Sequence, residues 1–462
     1  MPDSGPKGPS IVWLRDDLRL ADNPALAAGV ERGEPVVVVY LLDEVSRGIR
    51  PLGGAARWWL HHSLESLAVS IGALGGSLVL RRGAAEVEIP RLVEETGAGA
   101  VYWNRRYGAA REVDTALKTC LREQGVEVSS FQATLLFEPW TVTTGDGNPY
   151  RVFTPFWQAC LTLGVQRRAL PAPTSLPSID LRTMDVASDE LGEWQLLPTH
   201  PDWADGLRES QSPGETNAMA RLEEFVDDGL DHYGRRDFPG EDATSRLSPY
   251  LRFGEIGPLQ IWERMSGEMS PAALTASAGF LREIGWREFN WNILFHMPDL
   301  HERNFRASFD SFPWEQPRAA ELEAWQQGRT GIPLVDAGMR ELWRTGTMHN
   351  RVRMVTASLL IKNLLIDWRV GEAWFWDTLV DADEASNPAN WQWVAGSGAD
   401  AAPYFRVFNP QLQAEKFDKQ QRYIRRWVPE VGTADYPESI VDLKQSRTDA
   451  LSAYEHMKAS TS

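Results

Sequence analysis

Five short, largely apolar runs in the first 131 residues, at 10–14, 35–42, 77–80, 100–103 and 126–131, leave this part of the chain few folds to choose from. Each is four to eight residues long and lacks the strict apolar–polar alternation of a half-exposed strand, so each reads as a strand buried on both faces. Between them, 55–71, 84–95 and 109–124 carry apolar residues at helical spacing. That alternation predicts a parallel sheet with helices on both faces, an α/β doubly wound domain over residues 1–131. The turn after the first run reads RDDLRLADNPAL. It has no glycine-rich phosphate fingerprint, so an NAD-type site is not expected. A small-molecule pocket outside the carboxyl ends of the strands remains consistent with the fold.

The next stretch, 132–216, is rich in Pro, Ser, Gly and Asp. It reads as a long surface connection with one helix at 154–163. From 217 to 462 almost everything has helical spacing, with breakers or caps at Ser248-Pro249, Gly257-Pro258, Ser270-Pro271 and Asn387-Pro388. This C-terminal part is expected to be a mostly α-helical domain. No run of about 18 apolar residues spans a membrane. The opening MPDSGPKGPS lacks the apolar core of a signal peptide and reads as a frayed tail. Two cysteines give neither a disulfide framework nor a metal spacing. A cytoplasmic monomer without metal is the expectation.

Charge reverses sharply within the helical part. Residues 340–369 hold six cations (Arg340, Arg344, Arg351, Arg353, Lys362, Arg369) against Glu341 and Asp367. Residues 371–400 hold six carboxylates and no Lys or Arg. Six tryptophans are set into the two halves, at 343, 368, 374, 376, 391 and 393. Polar groups at His349, Asn350, Arg351, Asp381, Asp383 and Asn387 interrupt apolar helix and need partners. A large, flat, polar-edged cofactor is one partner that satisfies all of them. The net charge of −17 confines any nucleic-acid surface to a restricted basic patch. Segment 340–369 is the candidate for it, with weak, salt-sensitive binding to undamaged DNA expected.

Three constellations follow from the residues. In YGRRDFPGEDATSRLSPY, the hydroxyls of Thr244, Ser245 and Ser248 near a helix start suit a pyrophosphate, although the residues alone favour ordinary N-capping. In FLREIGWREF, Glu283, Trp286 and Arg287 share one helical face. They read either as a surface ion pair beside a core tryptophan or as the wall of a pocket. Trp391 and Trp393, two residues apart, point about 200° apart on a helix, so one can face the interior and the other a pocket.

The segments DAGMR, MHNRVRM, LLIDW, DADEASNPANWQW and APYFRVFNP match in sequence, almost without gaps, those of the DNA photolyase and cryptochrome family. The chain resembles that family over most of its length. The resemblance implies light-driven repair of cyclobutane pyrimidine dimers by electron transfer from excited reduced FAD to a flipped-out dimer in UV-damaged DNA, a deoxyribodipyrimidine photo-lyase activity. By the same resemblance Tyr233, Thr244, Ser245, Leu247 and Ser248 hold the FAD diphosphate. Phe280, Arg287, Asn350, Arg353, Asp381, Asp383 and Asn387 complete the cofactor site, with Arg353 placed to pair with Asp381 and Asn387 next to flavin N5. Many relatives have Trp where this chain has Phe280. Trp391, Trp368 and Trp314 form the implied electron-transfer chain. The implied DNA contacts are Arg236, Glu283, Trp286, Arg287, Asn350, Arg351, Met354, Trp393, Arg406 and Gln413, with Glu283 also stabilising the anionic dimer.

Two positions bear on the lesion. The (6-4) photolyases have His at the positions of Asn350 and Met354, which favours cyclobutane dimers here. The rival reading is a cryptochrome that senses blue light without repair; Asn387, Glu283, Trp286 and the short tail after Pro429 speak against it. A non-light flavoprotein oxidoreductase would need a hydride-transfer site, and none is evident. Segments PLGGAARWWLHHSL and YWNRRYGAARE resemble folate-binding bacterial branches related to plant cryptochromes (class III). The implied antenna chromophore is 5,10-methenyltetrahydrofolate, the alternative 8-hydroxy-5-deazaflavin.

Overall fold

In the computed structural model the described residues are 8–461 without 178, 180–185, 268–270 and 402–404; of 271–274 and 461 only the backbone is described. Most of the tail 1–10, Ser270 of one expected breaker, and residues 402–404 of the APYFRVFNP segment lie outside them. Five strands, β1 (Ser10–Leu14), β2 (Val36–Leu42), β3 (Leu78–Arg82), β4 (Ala100–Asn104) and β5 (Glu127–Phe131), form one sheet in the order β3-β2-β1-β4-β5. Every pairing is parallel. The helices between them are α1 (Pro24–Glu31), α2 (Gly54–Ala73), α3 (Ala85–Thr96) and α4 (Ala110–Glu123). The doubly wound reading holds, but α1 was not expected. It begins in the last three residues of RDDLRLADNPAL, runs on to Glu31, and depends on Asn23, whose side chain accepts from Leu26 N–H, and on Pro24 at the first helical position.

The sheet's edges are occupied by the chain itself. Outside β3, Asp189 donates its N–H to Leu80 O (2.8 Å), and Ser188 Oγ accepts from Leu80 N–H (3.0 Å). Outside β5, Arg122 donates to Val128 O (3.1 Å) and Arg105 donates to Ser130 O.

The connection carries α5 (Phe153–Leu163) and α6 (Asp205–Ser210). The helical part then runs α7 (Glu215–Glu224), α8 (Ser248–Phe253), α9 (Pro258–Met265), α10 (Pro271–His296), α11 (Ala319–Gln326) and α12 (Pro333–Thr345). It ends with α13 (Asn350–Ser358), α14 (Trp368–Thr378), α15 (Ser386–Ala395), α16 (Pro410–Phe417), α17 (Arg422–Trp427) and α18 (Leu443–Thr461). Asn387-Pro388 does not break a helix: both residues lie in the first turn of α15, where a missing N–H costs nothing. No helix among the described residues is long and apolar enough to cross a membrane.

The sheet and the helical part share one core. The largest cluster joins Val12, Val38 and Trp59 of the first part to Trp157, Phe253, Ile284 and Phe289. Glu255 sits at its centre, fully buried, accepting from Trp59 Nε1 (3.1 Å), Ser63 Oγ (2.5 Å) and Gly214 N–H (2.6 Å). A second cluster, built by α12 to α15, surrounds Trp325, Trp368 and Trp391.

Candidate functional site

The loop before α8 is held from behind. Arg221 donates to Ser245 O (2.8 Å) and Thr244 O (3.2 Å). Because a trans peptide sets N–H opposite C=O, the N–H groups of Ser245 and Arg246 are turned away from Arg221. Arg246 sits at φ 55°, in the left-handed region, a turn geometry that gathers N–H groups into an anion-binding concavity. Ser248 does not cap α8, as ordinary capping would require; its hydroxyl donates to Asp381 Oδ2 (2.7 Å). Leu247 is core, 1% exposed.

Asp381 is bound on both oxygens by Arg353 (3.1 and 2.9 Å), the pair expected from the sequence. Arg353 is aimed by a further bond to Met348 O (2.7 Å). The helix that carries it, α13, is capped by His349, whose Nδ1 accepts from Arg351 N–H (3.1 Å). That bond needs a neutral ring, and burial lowers the His349 pKa to about 4. Asp383 uses Oδ1 to accept from Ala385 N–H (2.8 Å), starting α15.

Asn387, 7% exposed, donates through Nδ2 to Glu372 O (3.1 Å) and to Glu372 Oε1 (2.8 Å). Both neighbours are acceptors, so the amide cannot be turned round. Its Oδ1 is left as an acceptor without a partner among the described residues. Loop N–H donors, the Ser248 hydroxyl, a paired carboxylate and this free amide oxygen therefore lie on connected elements. That donor set fits a nucleotide cofactor with a diphosphate and a hydrogen-bonding ring.

Beside it lies an aromatic pocket lined by Trp286, Phe289, Asn290, Phe305, Asn390 and Trp393, among others. Trp286 stacks on Phe153 (3.8 Å between ring centroids, 9° between planes), which covers one of its faces. Trp393 is steered by Nε1 donating to Asp400 O (3.1 Å). Glu283 meets Arg236 (3.1 Å); burial raises its pKa and Arg236 pulls it back. Phe280 packs on Phe225 and Tyr233 (4.8 and 5.4 Å). Arg287 is held from within the protein. Its side chain is 14% exposed and donates to Thr134 O (2.8 Å), fastening α10 to the connection.

Trp391 is buried at 3% and packs on Phe375 (4.9 Å) and Trp325 (6.3 Å); Trp368 is fully buried and Trp314 half-buried, so the last member of the expected series is the one nearest the surface. A Cβ on Gly371 would lie 2.1 Å from Trp391 Cη2. Gly371→Ala is therefore expected to displace that ring, cost about 2 kcal/mol, and slow photoreduction; a thermal melt and flavin bleaching under blue light measure both.

The expected basic patch is not free. Arg340 pairs with Glu430, Arg344 with Glu209, Arg351 with Asp237, Arg353 with Asp381 and Arg369 with Asp367, while Lys362 is buried with its ammonium on Ala395 O. Apart from Arg369, whose partner is two residues away, the arginines answer carboxylates distant in sequence, which a local charge count does not reveal. Arg351 also lies over Phe417 (4.3 Å). Asn350 and Arg406 are exposed, and Met354 is half-buried. Gln413 keeps Oε1 buried without a partner among the described residues. Arginines that sequence reasoning missed stand nearer the pocket: Arg151, Arg282 and Arg306 have no carboxylate within 4.0 Å among the described residues. Arg151 and Arg306 line a cavity with Phe305 and Asp400, next to the aromatic pocket. Elsewhere, on α2, His61 and His62 both lean on Glu65 (3.4 and 2.7 Å).

Residues 280–434 match the family model described as the FAD binding domain of DNA photolyase, and residues 10–176 match that of DNA photolyase. A deoxyribodipyrimidine photo-lyase of Agrobacterium fabrum is 48% identical over 98% of this chain and 99% of that protein. Cryptochrome-1 of Arabidopsis thaliana is 38% identical over 92% of this chain and 63% of its own length. The crystal structure of a bacterial class III photolyase from Agrobacterium tumefaciens superposes with a TM-score of 0.93 at 47% identity, covering 99% of both chains.

Proposed function

This chain belongs to the DNA photolyase and cryptochrome family, and from that premise we propose that it is a light-driven lyase that splits cyclobutane pyrimidine dimers in UV-damaged DNA. The observation that carries this reading is the aromatic pocket lined by Trp286 and Trp393, which draws Asn390 and Trp393 from α15, the helix that also carries Asn387. Aromatic faces beside a cavity that holds arginines with no carboxylate partner suit stacked bases and phosphates better than they suit a photoreceptor without DNA.

FAD, when bound, supplies light absorption and electron transfer. Thr244, Ser245 and Ser248 with the loop N–H groups would hold its diphosphate, alongside Tyr233 and Leu247. Asp381, Asp383, Asn350 and Phe280 would wall the ring system. Asn387 presents an acceptor there. Trp391, Trp368 and Trp314 would carry electrons inward from the surface. Trp286 and Trp393 give faces on which extruded bases stack, and removing a damaged pair from the duplex is the least costly flip. Glu283 would hydrogen-bond a thymine edge. Met354, Arg351, Arg406 and Gln413 would complete the DNA side with Arg236. For the antenna we favour 5,10-methenyltetrahydrofolate, supported by the resemblance of the α2 segment to folate-binding branches.

The test is direct. Blue light on the purified protein with a dimer-containing oligothymidine and reductant is expected to restore thymine absorbance, with none restored in the dark. Normal flavin photoreduction without any splitting would transfer the chain to the cryptochrome reading. DNA contact is tested separately: Arg151→Ala and Arg306→Ala are each expected to weaken binding to damaged and undamaged DNA alike and to lower the slope of log K against log salt by about 1. Fluorescence anisotropy across a salt series reads both.

A further inference from the structure

The segment Arg50–Gly54, which opens α2 of the α/β part, grips α14 of the helical part. Pro51 O accepts from Trp376 Nε1 (2.9 Å), and Gly54 N–H donates to Asp377 Oδ1 (2.8 Å). The approach is so close that a Cβ on Gly53 would lie 2.1 Å from Trp376 O. Arg50 lies over the Trp376 ring (4.1 Å) and reaches past it to Glu372, binding both carboxylate oxygens (2.7 and 3.0 Å). The Glu372 side chain is 3% exposed, and Arg50 is its cation among the described residues. Residues 371–400 contain no Lys or Arg to take its place.

We propose that Arg50 is a positioning residue for the flavin: by neutralising Glu372 it fixes the Asn387 amide with its oxygen toward the cofactor. The proposal rests on the reading that Asn387 faces the flavin. Its logic lies in the hydrogen-bond polarity. Asn387 Nδ2 is held by two acceptors, Glu372 O and Glu372 Oε1, so Oδ1 must point the other way. A buried carboxylate stripped of its guanidinium is strongly disfavoured. It either swings away or takes up a proton and becomes a donor. In both cases the amide keeps only its longer bond to Glu372 O and loses the shorter one that fixes its orientation, and each turn of the amide offers the flavin a donor in place of the acceptor. The α/β part thus reaches into the cofactor site through one side chain, from 322 positions earlier in the chain.

The test uses the FAD-loaded full chain and reads the flavin apart from repair. After photoreduction, reoxidation in air in the dark is followed by absorbance, with the midpoint potential, the FAD content and the melting curve measured alongside. R50Q is expected to keep its FAD and to reoxidise about tenfold faster, with R50K, which keeps the charge and one bond, in between. Asn387→Ser should shift the rate in the same direction, and the double variant no further than Asn387→Ser, as coupled residues require. If R50Q lowers only the melting temperature while Asn387→Ser moves rate and potential, Arg50 is merely structural and the proposal is overturned. If Asn387→Ser moves neither, the placement of the flavin at Asn387 falls, and the proposal with it. Should R50Q not fold, R50K decides: a rate equal to that of the unaltered protein overturns the proposal.

Discussion

Replacing Trp286 by alanine is expected to reduce light-driven dimer repair by about 10- to 100-fold at sub-saturating DNA, because each base stacked on an aromatic ring contributes roughly 1–3 kcal/mol to binding. The flavin should be untouched: Trp286 leans on Phe153 and faces the pocket, whereas the donors for the cofactor sit on the loop before α8 and on α13 to α15. FAD content and photoreduction rate should therefore equal those of the unaltered protein. Phe153 remains in the variant with a newly bared face, so some stacking survives and the loss is in affinity first. Repair traces at increasing DNA concentration separate the two parts. Recovery of the rate at saturating DNA supports a stacking platform. Equal repair at every concentration would remove Trp286 from the lesion site.

Stability is expected to fall as pH rises from about 4.5 to 7, and two buried glutamates are the cause. Burial pushes Glu255 and Glu288 up to about 7, against the donors that favour their charged forms. For Glu288 those donors are Leu136 N–H (2.9 Å) and Phe137 N–H (3.1 Å). Between pH 4.5 and 7 the folded chain holds more protons at these sites than the unfolded chain, so unfolding free energy declines with pH and levels off above 7. Each site contributes on the order of 2 kcal/mol over that window. His349 acts in the opposite sense: its pKa, lowered by burial to about 4, adds stability that is present above about 6.5 and lost as pH falls toward 4. Burial lowers His61 and His296 in the same sense as His349, and raises Glu215, Glu283, Glu341 and Glu384 in the same sense as the two glutamates, so the carboxyls outnumber the histidines and leave a net decline. Urea titrations at pH 5 and pH 8 measure it. Glu255→Gln should remove about half of the glutamate contribution, whereas Glu255→Ala, which strands Trp59 Nε1, Ser63 Oγ and Gly214 N–H, should cost about 3 kcal/mol at either pH. An unchanged pH slope in both single Gln variants would refute the assignment.

Much of the fold was legible because it is written in local periodicity. Each expected strand lies within two residues of the observed one, since a continuous apolar run bounded by turn residues has few alternatives. Helix α1 was missed because its eight residues carry little amphipathic signal and rely on Asn23 and Pro24. The Arg353–Asp381 pair was legible through resemblance alone, being 28 residues apart on different elements. What stayed hidden was tertiary. A run of six cations looked like a surface for phosphate until the fold brought Glu430, Glu209 and Asp237 to it. Arg287, one turn from Glu283, looked like a third wall of the pocket, yet Thr134 takes its guanidinium. Arg50 and Glu372 carried no signal at all, because neither has a local partner and the bond between them closes a loop of most of the chain.

The side chains and loop that occupy the outer strands have a consequence for how copies of this protein meet. A parallel sheet with bare outer strands invites another chain to extend it. Here Leu80 is already bonded by the connection, and the outward carbonyls of Val128 and Ser130 are taken by arginines. A second copy would have to displace the connection from Leu80 at one margin, or two arginines from the carbonyls they already satisfy at the other. Crowding of newly made chains along the sheet is thereby disfavoured, and any assembly of finished molecules must use helical or loop surfaces.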